Sequence, residues 1–245
     1  MQSHINSLPA ERIARAAALI RGGLTTEVET RPCSGTGAVE IDAALPWGGL
    51  PRGLHEIAMS AADAAGAGFV AALIGRRPSR GPILWCRPRR VALDAGDPYG
   101  PGIAELGIEP ARLIMVEAAK PADLLWAMEE GARTKGLAAV VAEGVTPDLT
   151  AGRRLQLAAE AGDGLILLLQ SGRQIVPSSA LTRWFVASIP SLPEAGGPGR
   201  PCWKLELWRC RGGGRPQDWM VEWDDAALSL SVVTQMADRP LAATG

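Results

Sequence analysis

A chain of 245 residues, 47% hydrophobic and 21% charged, fits one globular domain with small appendages and needs no covalent staple to bury a core. Its formal net charge of -1 argues against a nucleic-acid binder or a membrane-surface protein, and no run approaches the ~18 apolar residues of a membrane span. Cys33, Cys86, Cys202 and Cys210 show no C-x-x-C pair and no zinc spacing, and the N-terminus lacks a signal-peptide pattern, so a reduced, cytoplasmic protein without a metal is expected.

Residues 9–21 read as a short amphipathic helix with Ile13, Ala17 and Ile20 near helical spacing, ended by Gly22 and Gly23. Residues 24–37 are polar and rich in small residues, which suggests a linker. "WGGLPRG" is a turn, and "LHEIAM" (54–59) is a strand after it. A helix at 66–75 and the strand "PILWC" (82–86) follow. Residues 100–106 suggest a short helix and 112–117 a strand. Residues 121–135 form a clear helix, with Pro121 near its start and Leu124, Leu125, Met128 and Ala132 in one stripe.

"LAAVVAE" (137–143) and "GLILLLQ" (164–170) are wholly apolar strands around a helix at 149–161, for which Thr150 is the expected cap. Apolar strands alternating with helices indicate a parallel sheet covered on both faces. After about residue 176 the pattern changes. Segments 181–189, 202–211, 218–225 and 227–233 give an antiparallel finish. The expected organisation is an N-terminal helix and linker (1–33), an α/β core with C-terminal antiparallel strands (34–235) and a mobile tail (236–245).

The motifs of common chemistries are missing. "LHEIAMSAADAAGAGFVAALI" (54–74) has the strand–loop–helix layout of a phosphate-binding loop, but the chain contains no G-K pair. That lysine neutralises the outer phosphates, so phosphoryl transfer is not expected. There is no G-x-S-x-G elbow and no G-x-G-x-x-G fingerprint. His4 and His55 are the only histidines, and His55, within a strand, reads as a satisfied structural residue. Glu143 and Gln170 end two apolar strands at the edge where α/β sheets place ligands. Glu143 reads as a vestigial or structural carboxylate, and Gln170 as a sensor relic or a plain strand-end amide.

Two arginine-rich stretches remain. One carries Arg76, Arg77, Arg80, Arg87, Arg89 and Arg90 without an acid; of these, Arg87, Arg89 and Arg90 are candidate contacts for DNA or a partner. The other interleaves tryptophan with Lys204, Arg209 and Arg211. Such alternation can bind single strands by stacking, or place Trp inward and Arg outward on a strand. Trp and Arg anchor many interfaces, so Trp203, Trp208, Arg209, Arg211, Trp219 and Trp223 are the partner-binding candidates.

"SGTGAVEIDAALPWGGLPRGLHEIAM" (34–59) resembles the entry to a RecA-type recombinase core, and the order of elements to residue 170 is similar. "GGLPRGLHEI", "LWCRPRR", "LWAMEEGAR", "LAAVVAEG", "RRLQLAAEAG", "TRW" and "CWKLELWRCRGGGRPQDWMVEWDD" are similar to phrases of the ImuA family, RecA-like and SulA-like accessory factors of damage-induced mutagenesis. The resemblance implies a RecA-like core. It also implies an SOS-response role in translesion synthesis, with ImuB (an inactive Y-family polymerase relative) and an error-prone replicative-type polymerase as partners. RecA and weak DNA contact are further expectations.

In the same matching, Ala65 stands where the recombinase has lysine and Gly66 where it has Ser/Thr. Cys86, Arg87 and Pro88 fall in its catalytic-glutamate region, and Glu143 is the one acid kept, at the Walker B position. A non-catalytic adaptor without cofactor is therefore expected. The alternatives are a DNA- or nucleotide-binding recombinase relative and a SulA-like cell-division inhibitor.

Overall fold

The computed structural model describes residues 33–61, 63–162, 164–173, 177–191 and 199–233. The helix expected at 9–21 and the tail at 236–245 lie outside the described residues.

The chain opens with the two-residue strand β1 (Cys33–Ser34), helix α1 (Val39–Ala44) and strand β2 (Leu50–Pro51), which pairs antiparallel with β1. The repeating part then begins. Strand β3 (Gly53–Met59) leads to helix α2 (Ala65–Gly75), and strand β4 (Ile83–Pro88) to the short helices α3 (Arg89–Ala95) and α4 (Gly100–Glu105). Strand β5 (Leu113–Ala118) leads to α5 (Pro121–Arg133), and β6 (Ala139–Glu143) to α6 (Leu149–Gly162). Strand β7 (Leu165–Ser171) is followed by β8 (Thr182–Ile189), β9 (Cys202–Cys210), β10 (Gln217–Asp224) and β11 (Ser229–Val232).

Nine of these strands form one sheet in the order β11-β10-β9-β8-β3-β7-β6-β4-β5. From β8 through β5 every pairing is parallel; β8 to β11 pair antiparallel. The mixed α/β fold with an antiparallel finish therefore matches the sequence pattern.

Side-chain alternation divides the core into two layers. On the first face, Ile57, Trp85, Val141 and Leu169 pack against α1, α2 and α4. On the second, Leu54, Cys86, Val140 and Leu168 pack against α5 and α6. Helix α2 is apolar all round and buried along most of its length, which suits a helix enclosed by the fold. Its Gly68 lies under Trp203, where an added Cβ would come within 3.1 Å of the indole.

Trp184, Trp203, Trp219 and Trp223 share this layer with Phe69; the Phe69–Trp184, Phe69–Trp203 and Trp184–Trp219 centroids are 6.1 to 6.3 Å apart. On helix α6 the cap is Asp148, not Thr150: its Oδ1 accepts the Ala151 amide at 2.7 Å. Helices α1 and α3 were not expected. Neither shows a hydrophobic stripe long enough to register, and α3 buries no residue.

His55 is fully buried and completely bonded. The Trp184 indole donates to Thr182 Oγ1 at 2.7 Å, the Thr182 hydroxyl meets His55 Nδ1 at 2.7 Å, and His55 Nε2 meets the Pro51 carbonyl at 2.8 Å. A carbonyl can only accept, so Nε2 carries the hydrogen and Nδ1 accepts from the threonine. Burial pushes the imidazole pKa down to about 4, against the Pro51 hydrogen bond. It is the structural histidine that its strand position suggests. None of the four cysteines forms a disulfide.

Candidate functional site at the carboxyl edge of the sheet

The strand–loop–helix at 54–74 forms as its pattern predicts, but the loop is filled from within. Ala65 is buried, and Gly66 is wedged so closely that a Cβ there would lie 2.6 Å from Met59 Sδ and 3.2 Å from Leu169 Cδ2. The amides at the start of α2 would suit an anion. Here the anion is Asp63. Its carboxylate accepts the Ala65 amide at 2.9 Å, the Ser188 amide at 2.8 Å and the Ser188 hydroxyl at 2.6 Å. Burial acts against the charge, but the bonds from Ser188 and Ala65 outweigh it and hold the acid below its usual pKa. The contact also ties the loop to the end of β8. Sequence reasoning passed over Asp63, which stands one residue before the N-cap position Ala64, and no sequence signal points to its partner Ser188.

Glu143 ends β6 on the first face. Its Oε2 accepts the Trp85 indole hydrogen at 3.3 Å. It borders a pocket of about 370 Å³, walled by Ala64, Gly68, Trp85, Tyr99 and Ile103. Gln170 follows Leu169 in β7, so alternation turns it to the opposite face from Glu143; the two strand-end residues do not converge. Among the described residues, no group of three or more His, Cys, Asp or Glu could hold a metal ion.

The first arginine stretch is not one patch. Arg76, Arg77 and Arg80 precede β4, and Arg89 and Arg90 follow it, so the six-residue strand separates them by roughly 20 Å. Between them Arg87 is 2% exposed. Its guanidinium donates to Glu117 at 2.8 and 3.2 Å, to Asp97 at 2.5 Å and to the Gly96 carbonyl at 2.6 Å. Burial would lower its pKa, yet Glu117 and Asp97 raise it. Arg87 is thus a clamp for the segment after α3, and its expected role in touching DNA or a partner is corrected. Arg89 and Arg90 are exposed.

Three of the tryptophan candidates are also corrected. Trp203, Trp219 and Trp223 are 5%, 6% and 1% exposed, inside the first core layer. Strand alternation aimed them inward, so truncating them acts on folding. Trp208 lies on the other face and is partly exposed. It stacks on Phe185 with centroids 5.4 Å apart and planes 11° apart, and the Arg173 guanidinium sits 3.8 Å above the Phe185 ring. Arg209, beside it, is exposed and donates to the Ser178 carbonyl; Arg211 is exposed at the end of β9. Beneath this cluster lies a buried Glu56–Arg183 pair joining β3 to β8 at 2.6 Å.

The chain is 38% identical over 234 residues to Protein ImuA from Caulobacter vibrioides, an alignment spanning 86% of this chain and 93% of the relative. The chain belongs to the ImuA family. The match recurs at the same identity in a second strain of that organism. No protein-family model matches. The alignment takes in most of the chain, as the ImuA-like phrases of the sequence do. Among its described residues, no helix of this ImuA-family chain is long and apolar enough to cross a membrane.

Proposed function

We propose that this chain is a RecA-like, non-catalytic adaptor in damage-induced mutagenesis, and that it docks an ImuB-type polymerase-like protein and an error-prone replicative-type polymerase. The observation that carries the reading is Asp63. A fixed carboxylate bonded at the start of α2 takes the place that a phosphate would need, and it would repel one. Three further features support it. Ala65 brings no cation, Gly66 is packed against Met59 and Leu169, and Glu143 is bonded to an indole.

The test has two arms. Purified chain, with and without single-stranded DNA, is expected to turn over no ATP above a buffer blank and to behave identically as Glu143→Gln. In the second arm, the chain is expected to co-elute with an ImuB-type protein whether or not nucleotide is present. ATP turnover that disappears in Glu143→Gln would sink the non-catalytic reading. Failure to associate with either polymerase subunit would sink the adaptor reading.

A further inference from the structure

On the second face, beside the end of β4, a groove of about 530 Å³ runs between α3, the start of α5 and the turn after β6. Its floor and walls are apolar, formed by Leu124, Leu125, Val145 and Leu93. Leu124 and Val145 belong to the core, whereas Leu93 is 78% exposed and stands at the rim. Arg89 and Arg90 flank the same opening.

These arginines are in an unusual electrostatic position. They occupy the first two positions of α3, next to its amide end, where a cation is disfavoured. Among the described residues neither guanidinium has an ion-pairing or side-chain hydrogen-bonding partner. Three acids near the end of β4 are engaged elsewhere: Glu117 and Asp97 with Arg87, and Glu143 with Trp85. An apolar trough flanked by two unpaired cations is complementary to a ligand that offers an apolar side chain and a carboxylate together.

We infer that this groove binds a short peptide segment of a partner protein, one that seats a large apolar side chain against Leu124, Leu125, Val145 and Leu93 and sets one or two acidic residues against Arg89 and Arg90. The apolar lining favours a peptide over a nucleic-acid backbone, which would use the arginines and leave the leucines idle. The proposal rests on the adaptor reading, of which it names one contact surface.

The test uses the intact chain. A phage-displayed library of random 12-residue peptides is panned against it, and selected peptides are measured by fluorescence polarisation. The expected winners place Asp or Glu within four residues of Leu, Ile, Met or Phe. Their Kd should rise at least ~10-fold in the double variant Arg89→Ser/Arg90→Ser and again in Leu93→Ser. Both variants should melt like the parent, because all three side chains are exposed.

The proposal is overturned by any of three results. No peptide is enriched; the enriched peptides lack the acidic–apolar pairing or bind the variants as tightly; or a labelled single-stranded oligonucleotide, and no peptide, binds through the two arginines. Any of these, alongside intact co-elution with the ImuB-type protein, rejects the groove and leaves the adaptor reading standing.

Discussion

Two hollows flank the end of β4 on opposite faces of the sheet, and they treat charge in opposite ways. In the pocket bordered by Glu143, every charged group near the strand end has found its partner inside the chain. Arg87 holds two carboxylates and a carbonyl, and Glu143 holds an indole; at the neighbouring start of α2, Asp63 holds three donors. In the groove beneath α3, Arg89 and Arg90 have none among the described residues. The first hollow is finished by the fold; the second is left for something else. Proximity to a sheet's ligand edge therefore says less about function than whether the polar groups there still have capacity to bind.

Substitutions should divide along the same line. The largest effect is expected from Trp85→Ala on the finished side. It empties a core site and should cost about 3–5 kcal/mol in urea-unfolding free energy. Arg87→Leu comes next, at about 2–3 kcal/mol. It falls below the cost of breaking a fully buried pair because Asp97, 84% exposed, returns to water. Its signature is early proteolysis in the segment after α3.

Asp63→Asn should cost about 1 kcal/mol by weakening the bond to the Ala65 amide and the tie to β8. The sign of its pH dependence is fixed. Asp63 titrates lower in the folded chain than in the unfolded one, so its contribution is complete above the ordinary aspartate pKa of about 3.9 and fades as pH falls toward the folded value. The gap between parent and variant should thus hold steady from pH 7 to 5 and narrow below pH 4. The smallest effects belong to the groove: Arg89→Ser, Arg90→Ser and Leu93→Ser should each stay within ~0.5 kcal/mol of the parent. A strong loss there, or none at Arg87, would erase the distinction between the two hollows.

Most of the fold was legible because the parallel strands are apolar throughout and the later ones alternate. The alternation of "CWKLELWRC" even carried the answer to its own ambiguity, since Trp203 shares a parity with Leu205 and Leu207 and goes inward with them. What the sequence could not show was which charges meet. Arg87 stands beside Arg89 and Arg90 in the chain, but Asp97 and Glu117 reach it only through the turn after α3 and the pairing of β4 with β5. Asp63 finds Ser188 across 125 residues. The missing lysine was plain at once; the carboxylate that occupies its neighbourhood needed the third dimension.

The hydrogen chain through His55 has a practical consequence. Trp184, Thr182, His55 and Pro51 admit one arrangement of hydrogens; the first link lies within β8, and the other two join β8 to β3 and β3 to β2. A slip of β8 by one residue would turn Thr182 to the other face and leave the imidazole without a donor. A protonated Nε2 shielded from solvent exchanges slowly and resonates apart from surface imidazoles. One proton nuclear magnetic resonance line therefore reports whether the centre of the sheet is in register, which gives every variant above an internal check on native pairing.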